Sequence, residues 1–521
     1  MPWGPVFCRI AAIDSVSLPE KSATRLIEGF AKAEFTPSEL LESCLERITR
    51  LNPSINALTA FCTERATEEA GKATRRWKAG APIGPLDGLP IGVKDLQDAE
   101  GLPTTHGNPR FLNNIAIRDM PMVARLRRAG AIVLAKTNVP EFGAGGNTCN
   151  PVWGATGNPY DPRLTAGGSS GGSAAALSAS LVPLCTGSDT GGSLRLPAAL
   201  CGVLGYRPSA DVVAHPTRPV GWSVISVLGP MARNMEDLLL MLRTIHGFDA
   251  DDPLSSLADP ARFDSLPPAS LDRLRIGFSE DFGGAPVDCR VRAAFRERVA
   301  AIAPHAASCR PVDLNLGEMD RCFDILRAES FVAAFDPLGD GAIDQVGPHV
   351  AANVELGRSL SFHDRAWAHL EQTRILRAFK ERMADFDILL LPTAPIPAFP
   401  WEQPYPEEID GRKMDIYYRW LALTYRGSLM GGPSITLPAG VLEDGLPFGL
   451  QVLGPPRGDR ELLRAARALE ALLARDPATA PVKPDLTSIV PPPVDLRAIA
   501  THPPGSPDIA MIRPHAVGTA V

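Results

Sequence analysis

The stretch T-A-G-G-S-S-G-G-S-A-A-A-L at 165–177, followed by S-D-T-G-G-S-L-R-L-P at 188–197, decides how this chain is read. It holds two glycine-cradled serine clusters a short distance apart in the chain, one around Ser169 and one around Ser193. A hydroxyl flanked by glycines is open to close approach, because no Cβ blocks a ligand or a second backbone. Two such hydroxyls beside unhindered backbone N–H groups point to a serine nucleophile with its own oxyanion hole. A Gly/Ser run by itself reads as a flexible linker. Here it leads straight into the helix-forming A-A-A-L-S-A-S-L at 174–181 and then into an apolar strand, so it belongs to the core of a folded unit.

On either side the apolar pattern alternates between two grammars. Leu26, Ile27 and Phe30, then Leu40, Leu41, Cys44, Leu45 and Ile48, recur at three and four and predict two helices that part near 35–37. Thr36 or Ser38 is available as a cap, and Asn52-Pro53 is expected to end the second helix. A third helix is expected over 64–77. Short apolar runs then predict strands at 90–93, 131–135, 181–185, 274–278, 387–391, 434–437 and 449–453. Helices are expected between them at 119–130, 171–180, 234–247, 288–303, 363–385 and 459–475. Continuous apolar strands alternating with helices predict a mixed sheet covered on both faces, an α/β/α sandwich. Residues 1–21 read as a loose leader and 22–475 as one domain. The proline-rich 476–521 reads as an extended or disordered tail, with a docked arm as the alternative.

Composition narrows the function. The 521 residues are 45% hydrophobic and 21% charged, with a net charge of −7, so neither a nucleic-acid nor a membrane partner is expected. No apolar run is long enough to span a bilayer. Nine cysteines without a C-x-x-C pair or a Cys/His cluster fit reduced thiols in a cytoplasmic protein and suggest no metal.

Three familiar patterns fail on context. Gly167-Gly168-Ser169-Ser170-Gly171 satisfies G-x-S-x-G, but the polar, turn-rich 158–166 before it is unlike the strand that a nucleophile elbow follows. Asp189-Thr190-Gly191 matches half an aspartic-protease site, and no second D-T-G exists. No lysine closes the glycine loop as a P-loop requires. For a base, His106 in T-T-H-G-N and Lys94 in G-L-P-I-G-V-K-D are the candidates. Lys94 follows an apolar strand, and burial would lower its pKa until a neutral amine can accept a proton.

Together G-L-P-I-G-V-K-D at 88–95, G-G-S-S-G-G-S at 167–173 and G-S-D-T-G-G-S-L-R-L-P at 187–197 resemble the amidase signature family. K-T-N-V-P-E-F at 136–142, L-L-L-P-T-A-P at 389–395 and P-S-I-T-L-P-A-G at 433–440 agree, and the resemblance runs from about residue 22 to 475. It implies a Ser-cisSer-Lys triad: Ser193 as nucleophile, Ser169 as bridging serine on a cis Gly168–Ser169 peptide, and Lys94 as base. It implies an oxyanion hole from the amides of Thr190, Gly191, Gly192 and Ser193, with Ser170, Asp189 and Arg195 in support. It implies no cofactor, and a homodimer as a candidate assembly.

The reaction expected is hydrolysis of a small amide to acid plus ammonia or amine through an acyl-enzyme. Phe142, Gly143, Trp222 and Phe331 are expected in the substrate pocket, with aryl and medium-chain amides as candidate substrates. Two alternatives stand beside this reading. The same machinery serves an esterase or carbamate hydrolase. An amidotransferase subunit of a tRNA-dependent complex also resembles the chain, but its tyrosine-rich segment is absent at 356–369, L-G-R-S-L-S-F-H-D-R-A-W-A-H.

Overall fold

The computed structural model describes residues 17–256, 259, 261–339, 341–489 and 494–504. Three helices open the described chain: α1 (Ala23–Ala31), α2 (Pro37–Ile55) and α3 (Thr63–Lys78). Thr36 starts α2 with a reciprocal cap, its hydroxyl accepting from the Glu39 amide while the Glu39 carboxylate accepts from the Thr36 amide. Contrary to expectation, α2 runs through Pro53 and stops only where Asn56 turns left-handed at φ 52°.

Eleven strands form the central sheet: β1 (Leu58–Phe61), β2 (Pro90–Lys94), β3 (Ile132–Thr137), β4 (Leu184–Asp189), β5 (Leu204–Arg207), β6 (Val227–Ala232), β7 (Arg275–Phe278), β8 (Ser308–Pro311), β9 (Ile388–Pro392), β10 (Ser434–Val441) and β11 (Pro447–Leu453). Their spatial order is β1-β3-β2-β4-β6-β5-β10-β11-β9-β7-β8. The pairs β2/β3, β2/β4, β7/β8 and β7/β9 are parallel and the others antiparallel. The sheet is mixed, as the alternating strands and helices predict. Strands β1, β5, β6 and β8 are additional to the expected ones, and the strand expected at 181–185 lies a few residues later, in β4.

Helices α4 (Pro121–Arg128), α5 (Gly171–Ser178), α6 (Arg195–Cys201), α7 (Met235–Ile245), α8 (Cys289–Ile302), α9 (Met319–Phe335), α10 (Pro348–Ser359), α11 (Phe362–Met383), α12 (Ala422–Ser428) and α13 (Asp459–Leu473) complete the α/β/α sandwich. One apolar core joins Ala174–Leu177 of α5 to Leu41 and Ile48 of α2. The larger core joins α7 and α13 to β10 and β11 through Leu238, Leu242, Leu462 and Leu437.

The sequence of α5 explains its placement. Its Gly172 sits so close to the chain after β3 that a Cβ would lie 2.2 Å from the Asn138 nitrogen. Ser173 ties α5 to β3 and β4, its hydroxyl lying 2.6 Å from Thr137 Oγ1 and donating to the Thr186 carbonyl at 2.8 Å. A short ribbon, Gly157–Asn158 with Asp161–Thr165, precedes the first serine cluster. This polar, turn-rich segment thus does contain a strand, but outside the main sheet.

Of the expected leader, residues 1–16 lie outside the described residues, as do 490–493 and 505–521 of the tail. The described part of the tail is docked: Leu496 is buried against Ala155 and Trp401, and its carbonyl accepts from the Ala155 amide at 2.8 Å. All eight cysteines among the described residues are free.

Candidate active site

Parallel strands β2 and β4 end side by side, in register at Ile91–Leu184 and Gly92–Cys185. The crevice beyond the carboxyl ends of parallel strands is where open α/β sheets hold ligands. Lys94 is the last residue of β2 and is fully buried. Its Nζ lies 2.8 Å from Ser169 Oγ, 2.7 Å from Ser170 Oγ and 2.9 Å from Ser188 Oγ. Burial pushes its pKa down to about 7, against the opposing charge of Asp189. An ammonium at this position donates to all three hydroxyls. A neutral amine donates to two and keeps a lone pair for the third.

The Gly168–Ser169 peptide is cis, as the resemblance implies. The two serine clusters meet through the backbone, the Ser170 amide donating to the Ser193 carbonyl at 3.2 Å. Ser193 itself is half-buried and lines a cleft of about 500 Å³ together with Ser169, Ser188 and Thr190.

Asp189 organises the glycine turn before Ser193. It is fully buried between Arg195, whose Nη2 donates to Oδ1 at 2.9 Å, and Arg207, whose Nη1 lies 3.2 Å from the same oxygen. Burial alone would raise its pKa, but the charge and hydrogen bonds of Arg195, with Arg207, hold the carboxyl well below the usual range. Its oxygens accept from the amides of Gly192 at 2.9 Å and Leu194 at 3.1 Å. The Gly192 amide, expected in the oxyanion hole, is therefore already committed to Asp189. Among the described residues no protein acceptor takes the amides of Thr190, Gly191 and Ser193.

Two groups, the half-buried Ser188 and the buried Lys136, carry no signal in the sequence. Ser188 lies within the second motif without an expected role, yet it is the third hydroxyl on Lys94. Lys136, at the end of β3, is fully buried 3.6 Å from Asp95 and donates to the Gln97 carbonyl at 2.5 Å. The Gln97 side chain donates in turn to the Gly187 carbonyl at 2.9 Å. The Thr186 hydroxyl donates to Gln97 Oε1 and accepts from the Lys94 amide, locking the ends of β2 and β4 together. His106, the other candidate base, stacks on Phe142 with ring centres 5.5 Å apart, and burial lowers its pKa.

Of the expected pocket residues, Phe142, Gly143 and Phe331 line the cleft. Trp222 does not. It is 76% exposed on the loop between β5 and β6, whose neighbours Pro219 and Ser226 face the cleft in its place. A further wall, formed by Leu96, Phe111 and Met120 from the loops after β2, is absent from the expected pocket.

A buried lysine amine on three serine hydroxyls, beside a glycine turn at the carboxyl end of a mixed sheet, defines the class: an amide-hydrolysing enzyme. The chain belongs to the Amidase family, whose model matches residues 39–463. It is 34% identical to an acylamidase of Rhodococcus erythropolis over 463 residues, covering 87% of this chain and 95% of that protein. It is 36% identical to a glutamyl-tRNA(Gln) amidotransferase subunit of Thermus thermophilus over 480 residues, covering 87% and 97%. In three dimensions it superposes on a bacterial aryl acylamidase of the amidase signature family with a TM-score of 0.82 at 27% identity, covering 87% and 96%. No helix among the described residues is long and apolar enough to cross a membrane.

Proposed function

We propose that this enzyme hydrolyses small carboxylic amides through an acyl-enzyme on Ser193. The observation that carries the reading is the contact of Lys94 Nζ with Ser169 Oγ at 2.8 Å, with the amine brought to about pKa 7. Neutral Lys94 takes the Ser169 proton while Ser169 takes the Ser193 proton, and Ser193 Oγ attacks the carbonyl carbon. The amides of Thr190, Gly191 and Ser193 hold the oxyanion, each donor contributing about 3–4 kcal/mol in the transition state. The relay then runs backwards and protonates the leaving nitrogen. Water deacylates the enzyme by the same path. Free cysteines throughout the described chain support a cytoplasmic setting.

The cleft wall favours an apolar acyl group. Phe142 packs edge-on against Phe335 with ring centres 4.8 Å apart, and Phe335 stacks on Phe331 at 6.1 Å. Such a wall suits an aryl or medium-chain body. Ammonia release from benzamide, hexanamide and acetamide tests the substrate class. Benzamide or hexanamide is expected to lead by kcat/KM, and a preference for acetamide overturns it.

A second reading, a glutamine-hydrolysing subunit, is favoured by the 36% identity to the Thermus protein. Against it stands the tyrosine-free segment 356–369, where α11 begins with an exposed Phe362. Copurification of a partner with ATP-dependent activity on charged tRNA would establish that reading instead.

A further inference from the structure

Among the described residues, the cleft holds a guanidinium without a countercharge. Arg327, on α9, is only 7% exposed and lines the cleft that Ser193 lines. Its Nη2 donates to the Tyr417 hydroxyl at 2.7 Å, and that oxygen also accepts from Asn353 Nδ2 at 2.7 Å. Its Nε is buried with no partner among the described residues. No carboxylate among them comes within ion-pair distance of it. Its other neighbours are ring faces, with the guanidinium carbon 4.9 Å from the centre of Phe331 and 5.1 Å from that of Tyr418.

The remaining charges of the cleft are accounted for differently. Arg218 is neutralised by Asp252 at 3.0 Å. Asp98, which also lines the cleft, lies where its charge acts on Lys136 and His106. A buried charge held only by neutral oxygens and rings is costly, so such groups are paired or await a ligand. Aromatic rings attract the cation but do not neutralise it.

We propose that Arg327 is a specificity residue, and that the preferred substrate is an amide bearing a second, ionised carboxylate. The monoamide of a dicarboxylic acid fits: the amide carbonyl at Ser193, an aryl or alkyl body along Phe142, Phe335 and Phe331, and the carboxylate on Arg327. This rests on the amidase reading above and names its substrate more closely. A charge-assisted contact to a planar guanidinium also selects a carboxylate over a neutral end group by geometry.

The test compares adipamate with hexanamide and 4-carbamoylbenzoate with benzamide, by kcat/KM and by calorimetric binding, in wild type, Arg327→Met and Arg327→Lys. The wild type is expected to favour each anionic amide by roughly 10- to 100-fold. Arg327→Met should erase the preference mainly through KM, and Arg327→Lys should restore part of it. Circular dichroism checks that each variant is folded, and the wild-type preference stands as a test even if neither is. Equal handling of anionic and neutral amides by the wild type, or a preference that survives Arg327→Met, overturns the inference. If nothing is hydrolysed but the anionic amides still bind more tightly, the amidase reading fails and this one stands.

Discussion

Lys94 Nζ lies 2.8 Å from Ser169 Oγ with no water-exposed surface on the lysine at all. The end of β2 thus brings the Lys94 amine to the first serine cluster, while the turn after β4 carries Ser193. The chemistry depends on that convergence.

The first consequence concerns pH. Burial brings the Lys94 amine to about 7, so the protonated form dominates below that pH and cannot accept a proton. kcat/KM should rise about tenfold per pH unit below 7 and level off above it. A flat profile between pH 5 and 8, measured on one amide at constant ionic strength, would show that Lys94 is not the titrating base.

Ser188 shares the lysine with Ser169 and Ser170 but stands outside the proposed relay. Ser188→Ala should lower kcat by about tenfold, the effect of losing one hydrogen bond that orients the amine. Ser169→Ala removes the bridge and should cost about 10²- to 10⁴-fold. Steady-state kinetics that rank the two variants the other way would reverse the roles.

Asp189→Asn leaves Arg195 and Arg207 buried with their shared carboxylate gone. Breaking such a pair costs about 3–5 kcal/mol, read as a lowered midpoint in urea unfolding. The folded carboxyl binds its proton at lower pH than the unfolded one, whose ordinary value is 3.8. Its contribution is complete above about pH 4 and is lost as the pH falls further. Asp189→Asn should flatten that acid limb.

Gly192 adopts φ +122°, and a Cβ there would lie 2.1 Å from Thr424 Oγ1. Thr424 is itself held in place, its hydroxyl donating to the Gly191 carbonyl at 2.7 Å. Gly192→Ala should therefore displace the turn that carries Ser193 and abolish measurable turnover, although the Gly192 amide faces Asp189 and not the substrate. Wild-type kcat in Gly192→Ala would contradict this packing.

Much of the site is legible in the sequence because its parts are contiguous. Ser169, Ser170 and Ser193 sit in glycine runs, and Lys94 ends an apolar strand. What escapes depends on distant segments. Ser188 looks like one more small residue until β2 brings Lys94 beside it. The commitment of the Gly192 amide follows from Asp189 folding back over its own turn, which spacing does not reveal. Residue type alone puts Trp222 in the pocket, and only the path of its loop turns it to solvent.

The fold shows the same division. Strongly periodic segments such as α2 and α7 are readable, whereas β6 (V-L-G-P-M-A) and the seven-residue α6, with Pro197 inside it, carry breakers that tertiary packing overrides. Pro53 fails as a stop because a proline in the last turn of a helix forfeits one hydrogen bond without forcing an end. Arg327 has no local signal, since a lone arginine on a helix reads as surface until Tyr417 and Tyr418 pack against it.

The most direct test of the central claim is covalent. Wild type and Lys94→Ala are treated with a fluorophosphonate, and the adduct is mapped by mass spectrometry over time. A single adduct on Ser193 is expected, formed at a rate that falls by about 10²-fold or more without the lysine. An adduct on another residue, or a labelling rate indifferent to Lys94, would contradict it.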